Sequence, residues 1–226
     1  MTICVIPARS GSKRIKNKNI INFFGKPIIS YSIRAAIYSG IFSKVIVSTD
    51  SKKIQKIAIK YGAECSFLRS KKLSNDKVSV KEVLIDTIKK VKSNETEYHC
   101  LLLATAPLIK AQDLIKAHKA IRLNKKTNAL ICVSEMENSP LRSFFVKKKY
   151  LKFKWEENQK KNSQELQKLF YDTGSFYFFK TKELLREKKF FLDRSIPFYL
   201  GKEKSIDLNT AEDLKILKYF YKQKTK

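Results

Sequence analysis

Cysteine and histidine are scarce in this chain of 226 residues, and neither residue type is clustered. The cysteines contain no C-x-x-C pair of the kind used by zinc sites and thiol redox motifs, and they stand far apart at Cys4, Cys65, Cys100 and Cys132. His99 and His118 have no neighbouring set of metal ligands. We therefore expect neither a zinc site nor a disulfide framework, and we assign both histidines structural or surface roles.

Long apolar runs are also missing, since no stretch approaches the roughly 18 consecutive apolar residues of a membrane span. The N-terminus lacks a charged segment ahead of an apolar run. We therefore expect a cytoplasmic protein without a membrane partner. Glycine and proline are few, at six and five residues, and 43% of the chain is hydrophobic. That composition excludes a collagen-like or broadly disordered chain and suits a single domain over residues 1–226.

Acidic residues are few, with 21 Asp and Glu against 48 Lys and Arg, so the formal net charge is +27. A charge of this size favours a polyanionic partner, and a basic nucleic-acid-binding protein is one interpretation. However, 40 of the 48 cations are lysine, and the chain lacks helix-turn-helix, zinc-finger and ribonucleoprotein motifs. We expect no nucleic-acid partner and attribute most of the charge to biased composition.

Apolar runs of strand length alternate with amphipathic segments of helix length, a pattern typical of parallel strands joined by crossover helices. The pattern predicts strands at 3–7, 45–50, 63–68, 100–103, 129–134, 175–179 and 196–200. It predicts helices at 27–38, 51–61, 80–91, 113–123 and 210–220. The expected fold is α/β, with a Rossmann-like, mostly parallel sheet flanked by helices.

Residues 135–167 depart from this alternation. They contain Pro140, the lysine run 147–149 and Trp155 without a clear period. We predict an inserted β-hairpin or arm within the single domain. A small insertion cannot bury all of its apolar residues alone, which include Leu141, Phe144, Phe145, Leu151, Phe153 and Trp155.

A basic loop at 8–14 directly follows the first predicted strand, where open α/β sheets bind their ligands. Gly11 and the small serines allow backbone N–H groups to approach an anion, and Arg9, Lys13 and Arg14 supply positive charge. The loop has neither the Walker spacing nor G-x-G-x-x-G. It indicates phosphate binding, with a merely basic surface turn as the alternative, and supports neither a P-loop NTPase nor a dinucleotide oxidoreductase.

Asp50 closes the second predicted strand and precedes the second predicted helix. Two roles fit an acidic residue at such a position. Asp50 either caps the helix that begins at about residue 51, for which no ligand is needed, or organises a nucleotide pocket at the strand end.

Eight segments carry a resemblance that runs in order along nearly the whole chain: 6–20, 24–27, 45–50, 61–63, 67–69, 104–107, 171–177 and 205–214. Together they resemble the acylneuraminate cytidylyltransferase family, enzymes that activate nine-carbon 2-keto sugar acids with CTP. Residues 104–107 and 172–177 look most like the members that use pseudaminic acid. The resemblance implies CTP and a nine-carbon sugar acid as partners, with sialic or legionaminic acid as alternative acceptors.

The resemblance also implies a nucleotide site. Residues on its CTP-binding loop are Arg9, Ser12, Lys13 and Asn19. Arg9 and Lys13 would hold the triphosphate and act as the catalytic residues, since catalysis of this kind is mainly positioning and electrostatics. Residues matching the surroundings of the cytosine and ribose are Arg69, Asp76 and Ser79.

A Mg²⁺ cofactor follows from the resemblance as well. Asp207 matches the first carboxylate of the family's D-x-D-T metal segment, and Asn209 stands at the second acidic position. An amide oxygen can ligate Mg²⁺, but one negative charge is lost. Alternatively, or in addition, this segment caps the last helix, because Thr210 and Asp213 have the spacing of a capping box.

For the sugar acid, the resemblance points to Thr105 and Asp172 as acceptor contacts. Family members often place an arginine in the arm to bind the acceptor carboxylate, and this chain has Lys161 in that stretch. A lysine keeps the charge but not the bidentate fork. Relatives use a comparable region to dimerise, so we expect a homodimer formed through the arm.

Overall fold

The computed structural model describes residues 2–223, so residue 1 and residues 224–226 of the predicted domain lie outside the described part. The strands are β1 (Thr2–Pro7), β2 (Asn22–Phe23), β3 (Lys26–Pro27), β4 (Lys44–Ser48), β5 (Tyr98–Leu102), β6 (Ala129–Glu135), β7 (Phe144–Lys147), β8 (Tyr150–Phe153), β9 (Phe170–Lys180) and β10 (Ser195–Tyr199). The helices are α1 (Ile29–Ser39), α2 (Lys52–Lys60), α3 (Val80–Lys90), α4 (Ala111–Leu123), α5 (Thr181–Glu187) and α6 (Ala211–Gln223).

A six-stranded sheet in the order β10-β6-β9-β5-β1-β4 forms the centre of the molecule. β1 runs parallel to β4 and β5, and β10 runs parallel to β6. β9 is antiparallel to both of its neighbours, β5 and β6. The prediction of a mostly parallel sheet is therefore confirmed, with one reversed strand at its middle.

Helices cover both faces of this sheet, which explains why its strands read as continuous apolar runs. Successive side chains of β1 enter different cores. Cys4 and Ile6 pack with Ile33 of α1 and Leu114 of α4. On the other face, Ile3 and Val5 pack with residues of α3 and α5, including Leu84, Ile88 and Leu184. The sheet is thus the buried middle layer of a three-layer α/β sandwich.

The two histidines are held by short hydrogen bonds to hydroxyl groups. His99 in β5 lies between the hydroxyls of Ser93 and Thr181, at 3.0 and 2.7 Å. His118 in α4 is 2.9 Å from the Thr2 hydroxyl. Both histidines therefore have structural partners, and all four cysteines are buried and free.

The predicted strand at 63–68 is wrong. The chain follows the edge of β4 with only two isolated bridges, from Glu64 to Ile46 and from Leu68 to Thr49. Between these bridges it leaves the edge to bury Cys65 while Ser66 remains exposed. The Arg69 amide then donates to the Thr49 carbonyl at 2.7 Å, which leads Arg69 toward the carboxyl end of the sheet.

Residues 135–167 contain the hairpin β7–β8, which forms a two-stranded sheet of its own. Its apolar side chains are largely in solvent, with Val146 and Leu151 exposed to 67% and 66%. Among residues 2–223, the structure contains no helix with both the length and the apolar character needed to cross a membrane.

A bulge interrupts the pairing of β9 with β6. Tyr177 stands opposite Ile131 and Asp172 stands opposite Val133, so several residues of β9 face one residue of β6. Gly174 lies in the bulge at φ +65°, a conformation that favours glycine. Bulges of this kind redirect side chains beside functional sites, and this one brings residue 172 back toward residue 177.

Candidate active site

A pocket of about 220 Å³ opens beyond the carboxyl ends of β1 and β5. Its walls are the loop after β1, the segment from Arg69 to Val83, and the turn after β5 at Leu103–Thr105. The pocket is strongly cationic, and its basic lining residues are Arg9, Lys13, Arg14, Lys18 and Arg69. A site of this charge at this end of the sheet suits a phosphorylated ligand.

Asp50 anchors the basic loop. Its carboxylate accepts hydrogen bonds from the Ser10 amide at 2.8 Å and from the Ser10 hydroxyl at 2.7 Å. The helix-cap role is wrong for Asp50, because the Ser51 hydroxyl accepts from the Ile54 amide and caps α2. Asp50 therefore fixes the basic loop across 40 residues of sequence, and its role in a nucleotide pocket stays a prediction.

Asn19 anchors the same loop from its other end. Its side-chain amide donates to the Arg9 carbonyl at 2.9 Å, and the residue is buried against the pocket. Ser12 lines the pocket nearby. The structure thus brings together the four loop residues assigned to the nucleotide, and their contact with CTP stays a prediction.

Asp76 forms ion pairs with both proposed catalytic cations. One carboxylate oxygen contacts the Arg9 guanidinium, and the other is 2.7 Å from Lys13 Nζ. Hydrogen bonds from Lys13, and then from Arg9, lower the pKa of the Asp76 carboxyl below its usual value. Asp76 therefore faces the loop predicted to hold the triphosphate.

Arg69 lies at the bottom of the pocket and is only 4% exposed. Its Nε donates to the Ser74 hydroxyl at 3.1 Å, whereas its buried Nη1 has no hydrogen-bond partner within the described residues. Burial lowers the pKa of this guanidinium, and the charge of nearby Asp50 opposes that effect. An unpaired buried donor of this kind is suited to an acceptor on a ligand.

Ser79 and Thr105 have different surroundings. Ser79 caps α3, where its hydroxyl accepts from the Glu82 amide and the Glu82 carboxylate accepts from the Ser79 amide at 2.7 Å. Ser79 is not among the residues that line the pocket, whereas Thr105 is buried and lines it. The structure therefore gives Ser79 a capping function, and its nucleotide contact stays a prediction.

The Asp207 segment caps the last helix and contains the predicted metal ligands. Asp213 accepts from the amides of Asn209 and Thr210 at 2.9 and 2.7 Å, and the Asp213 amide donates to the Thr210 hydroxyl at 3.2 Å. These contacts form the expected capping box at the start of α6. Asp207 is exposed, and the Asn209 side-chain amide donates to it at 2.6 Å.

Within residues 2–223, no three His, Cys, Asp or Glu side chains are grouped so as to hold a metal ion. One exposed carboxylate with an amide beside it still fits Mg²⁺, which commonly takes one or two protein carboxylates together with substrate phosphates. The donor set at Asp207 and Asn209 is thus compatible with a metal that a nucleotide helps to bind.

Lys18 links this segment to the pocket, a role that the sequence did not reveal. Its ammonium donates to the Leu208 carbonyl at 2.8 Å. Burial lowers the pKa of Lys18, the charges of Arg14 and Arg9 lower it further, and Asp207 opposes them. The available signal was that two further cations, Lys16 and Lys18, follow closely after the basic loop.

Asp172 is held by Tyr177, another residue that the sequence did not single out. The Tyr177 hydroxyl lies 2.7 and 2.8 Å from the two carboxylate oxygens, and the Gly174 amide donates to one of them at 2.9 Å. Burial, followed by the negative charge of Asp172, raises the pKa of the Tyr177 hydroxyl. Lys161 is engaged with Asn158 Oδ1 at 3.0 Å.

A mostly parallel sheet whose strand ends open onto this cationic pocket defines a nucleotide-binding α/β protein. The chain belongs to the cytidylyltransferase family, because the family model of that description matches residues 3–226. Membership makes the protein a nucleotidyltransferase and confirms the resemblance on which the site assignments rest.

Two relatives illustrate the range of the family. The chain is 39% identical over 223 residues to pseudaminic acid cytidylyltransferase of Campylobacter jejuni, covering 97% of this chain and 96% of that protein. It is 34% identical over 214 residues to N-acylneuraminate cytidylyltransferase of Streptococcus agalactiae, covering 93% of this chain and 51% of that protein.

Among solved structures, the fold is similar to that of CMP:2-keto-3-deoxy-manno-octonic acid synthetase complexed with CTP. The TM-score is 0.73, each chain is covered to 99%, and the sequence identity is 17%. This similarity confirms the expected α/β fold with a mostly parallel sheet and flanking helices.

Proposed function

We propose that the protein transfers the cytidylyl group of CTP to a nonulosonic acid, with pseudaminic acid as its acceptor. The observation that carries the proposal is the 39% identity, over nearly the full length of both chains, to a pseudaminic acid cytidylyltransferase. The cationic pocket at the strand ends supports it, because a triphosphate needs this density of positive charge.

The proposed reaction is an in-line attack of the acceptor's anomeric hydroxyl on the α-phosphorus of CTP. The hydroxyl oxygen bonds to that phosphorus and releases its proton to water, the bond from the phosphorus to the oxygen that bridges to the β-phosphate breaks, and pyrophosphate leaves. Arg9 and Lys13 bind the phosphates and stabilise the charge that develops on them, Arg69 donates to the nucleotide from the bottom of the pocket, and Asn19 and Asp50 position the loop.

We further propose Mg²⁺ as the cofactor, held by Asp207 with Asn209 beside it. When bound, the ion would neutralise charge on the nucleotide phosphates. Lys18 places the carbonyl of the neighbouring Leu208 against the pocket wall, which supports the proximity of this segment to a bound nucleotide. Thr105 and Asp172 are the proposed acceptor contacts.

A pyrophosphate-release assay with a panel of sugar acids tests these proposals. With CTP and Mg²⁺, we expect turnover on pseudaminic acid to exceed that on sialic or legionaminic acid, and we expect ATP and UTP to be poor donors. The 34% identity to an N-acylneuraminate enzyme makes sialic acid the competing acceptor. Faster turnover on sialic acid than on pseudaminic acid would reverse the assignment of the acceptor. Undiminished turnover in the presence of EDTA would overturn the proposal that Mg²⁺ is the cofactor.

We also propose a homodimer that buries the hairpin β7–β8. The exposure of Val146 and Leu151 supports it, because contiguous apolar surface of this kind usually marks an interface. Light scattering at micromolar concentration should give a dimer mass for the wild type and a monomer for Val146→Glu/Leu151→Lys. Leu123→Glu, at an apolar position exposed to 77% outside the hairpin, is the matched control and should remain dimeric.

We propose that the reaction takes place in the cytoplasm. The four buried, free cysteines support this location, because thiols stay reduced there.

A further inference from the structure

Asp76 forms ion pairs with Arg9 and Lys13, the two cations that would bind phosphate in the proposed reaction. Its two carboxylate oxygens are divided between Arg9 and Lys13. These partners lie more than 60 positions earlier in the sequence, so the contact joins two opposite walls of the pocket. The carboxyl is held ionised by both cations, which depress its pKa.

A carboxylate and a phosphate compete for the same donors, because both are anions that accept charge-assisted hydrogen bonds from arginine and lysine. Bringing a triphosphate next to Asp76 would also place like charges side by side. We infer that Asp76 is an internal counter-ion that the triphosphate of CTP displaces, and that returns to Arg9 and Lys13 as pyrophosphate leaves. The inference rests on the proposed function and concerns the same loop.

The structure provides a place for the displaced carboxylate. Asp76 and Lys13 line both the main pocket and a second, outer cavity of about 550 Å³. That outer cavity is also lined by one acidic residue, Glu82, and by two basic residues, Lys72 and Lys77. Rotation of the Asp76 side chain toward them therefore exchanges one set of cations for another.

The backbone around Asp76 is held by local hydrogen bonds, so the exchange needs no rearrangement of the fold. The Ser74 hydroxyl donates to the Ser70 carbonyl at 2.9 Å, and the Lys77 amide donates to Asn75 Oδ1 at 2.8 Å. Both bonds lie within the segment, and neither involves the Asp76 side chain. Asp76 thus acts on substrate only through Arg9 and Lys13, as a positioning residue.

The inference predicts that Asp76 affects the binding of ligands that carry phosphates and does not affect the binding of the nucleoside alone. Asp76→Asn should tighten the binding of CTP and of pyrophosphate by about fivefold, the size expected when two exposed ion pairs no longer have to be broken. Binding of cytidine, which has no phosphate, should be unchanged. Isothermal titration of all three at one fixed ionic strength measures these affinities, since surface electrostatics depend on salt.

Glu64→Gln is the matched control. It also removes one negative charge from an exposed ion pair, that with Lys44 at 3.4 Å, but it leaves the basic loop unchanged. We expect its affinities for CTP, pyrophosphate and cytidine to equal those of the wild type. Tighter binding by both variants would show a general effect of net charge and overturn the inference.

The other outcomes are equally decisive. Weaker CTP binding by Asp76→Asn would mean that Asp76 is a direct ligand of the nucleotide. Equal changes in the affinities for CTP and cytidine would mean that the substitution acts through the structure of the pocket. Either result would overturn the inference that Asp76 is a displaceable counter-ion. Absence of CTP binding by the wild type would overturn the proposed function instead. In that case, tighter pyrophosphate binding by Asp76→Asn would still support the exchange of anions at the loop.

Discussion

Replacing Asp50 with alanine tests whether the basic loop is positioned from outside itself. The substitution removes two hydrogen bonds, from the amide and the hydroxyl of Ser10 to the Asp50 carboxylate. It leaves the cap of α2 in place, because Ser51 supplies that cap. Activity and stability should therefore respond differently.

The magnitude follows from the two contacts. Hydrogen bonds to a charged group contribute about 1.5–3 kcal/mol each. Because Asp50 is partly exposed, we take about 2 kcal/mol for the pair together. If the ordered loop is needed only in the transition state, kcat/KM falls by roughly 30-fold, since about 1.4 kcal/mol corresponds to a factor of ten. Ser10→Ala removes only the hydroxyl bond and should show about half of that effect in free energy.

Pyrophosphate release under kcat/KM conditions provides the assay, and thermal unfolding provides the comparison. We expect Asp50→Ala to lose activity with little change in Tm, and the double variant with Ser10→Ala to be no worse than Asp50→Ala alone. Retention of kcat/KM within twofold would refute the anchoring role. A loss of several degrees in Tm with full activity would restore the helix cap that the structure rejects.

Three further predictions concern single residues. Lys13→Ala and Asp207→Ala should each lower turnover by about 10²–10³-fold through lost stabilisation of phosphate charge, while circular dichroism remains native because both side chains are exposed; near-normal pyrophosphate release by either folded variant would defeat its assignment. Burial lowers the pKa of His99 from 6.5 to about 4. Above pH 6.5 the His99 imidazole is neutral in both the folded and the unfolded state. Between pH 6.5 and 4 only the unfolded chain takes up the proton, so the free energy of unfolding decreases by up to about 3 kcal/mol as the pH is lowered. Urea unfolding of His99→Asn at a series of pH values should lack this decrease. Arg69→Met should raise the KM for CTP about tenfold without lowering Tm, because it removes a buried charge while keeping volume; an unchanged KM would mean that Arg69 does not reach the nucleotide.

The central strands could be predicted from sequence because burial on both faces leaves a continuous apolar run. The segment 63–68 is also mostly apolar, although Glu64 and Ser66 interrupt it, and it lies at the sheet edge, where two bridges hold it and a regular ladder is not required. β9 extends from 170 to 180, beyond the predicted 175–179, because the bulge at Gly174 conceals its first half. Edges and bulges depend on the neighbouring strand, which local pattern does not contain.

The site shows the same limit. The loop at 8–14 was recognisable because its charge and small residues are adjacent in sequence. Asp50 and Ser51 are both good cap residues, so local chemistry could not choose between them, and the contact with Ser10 decides it. The ion pairs of Asp76 and the hold of Tyr177 on Asp172 depend on tertiary contacts. Residue types therefore identified the chemistry, and the fold determined which partners each residue has.

The reversed strand at the middle of the sheet determines how the protein assembles during synthesis. β4, β1 and β5 form one group and β6 and β10 another, and β9 alone joins them. When the ribosome has synthesised residues up to 135, both β5 and β6 are complete. The strand that lies between them in the sheet, β9, has not yet been made. Until the chain reaches residue 180, two apolar strand edges stay open to misassociation with other chains. β9 then joins the two groups, and β10, the last strand to be made, adds to the free edge of β6.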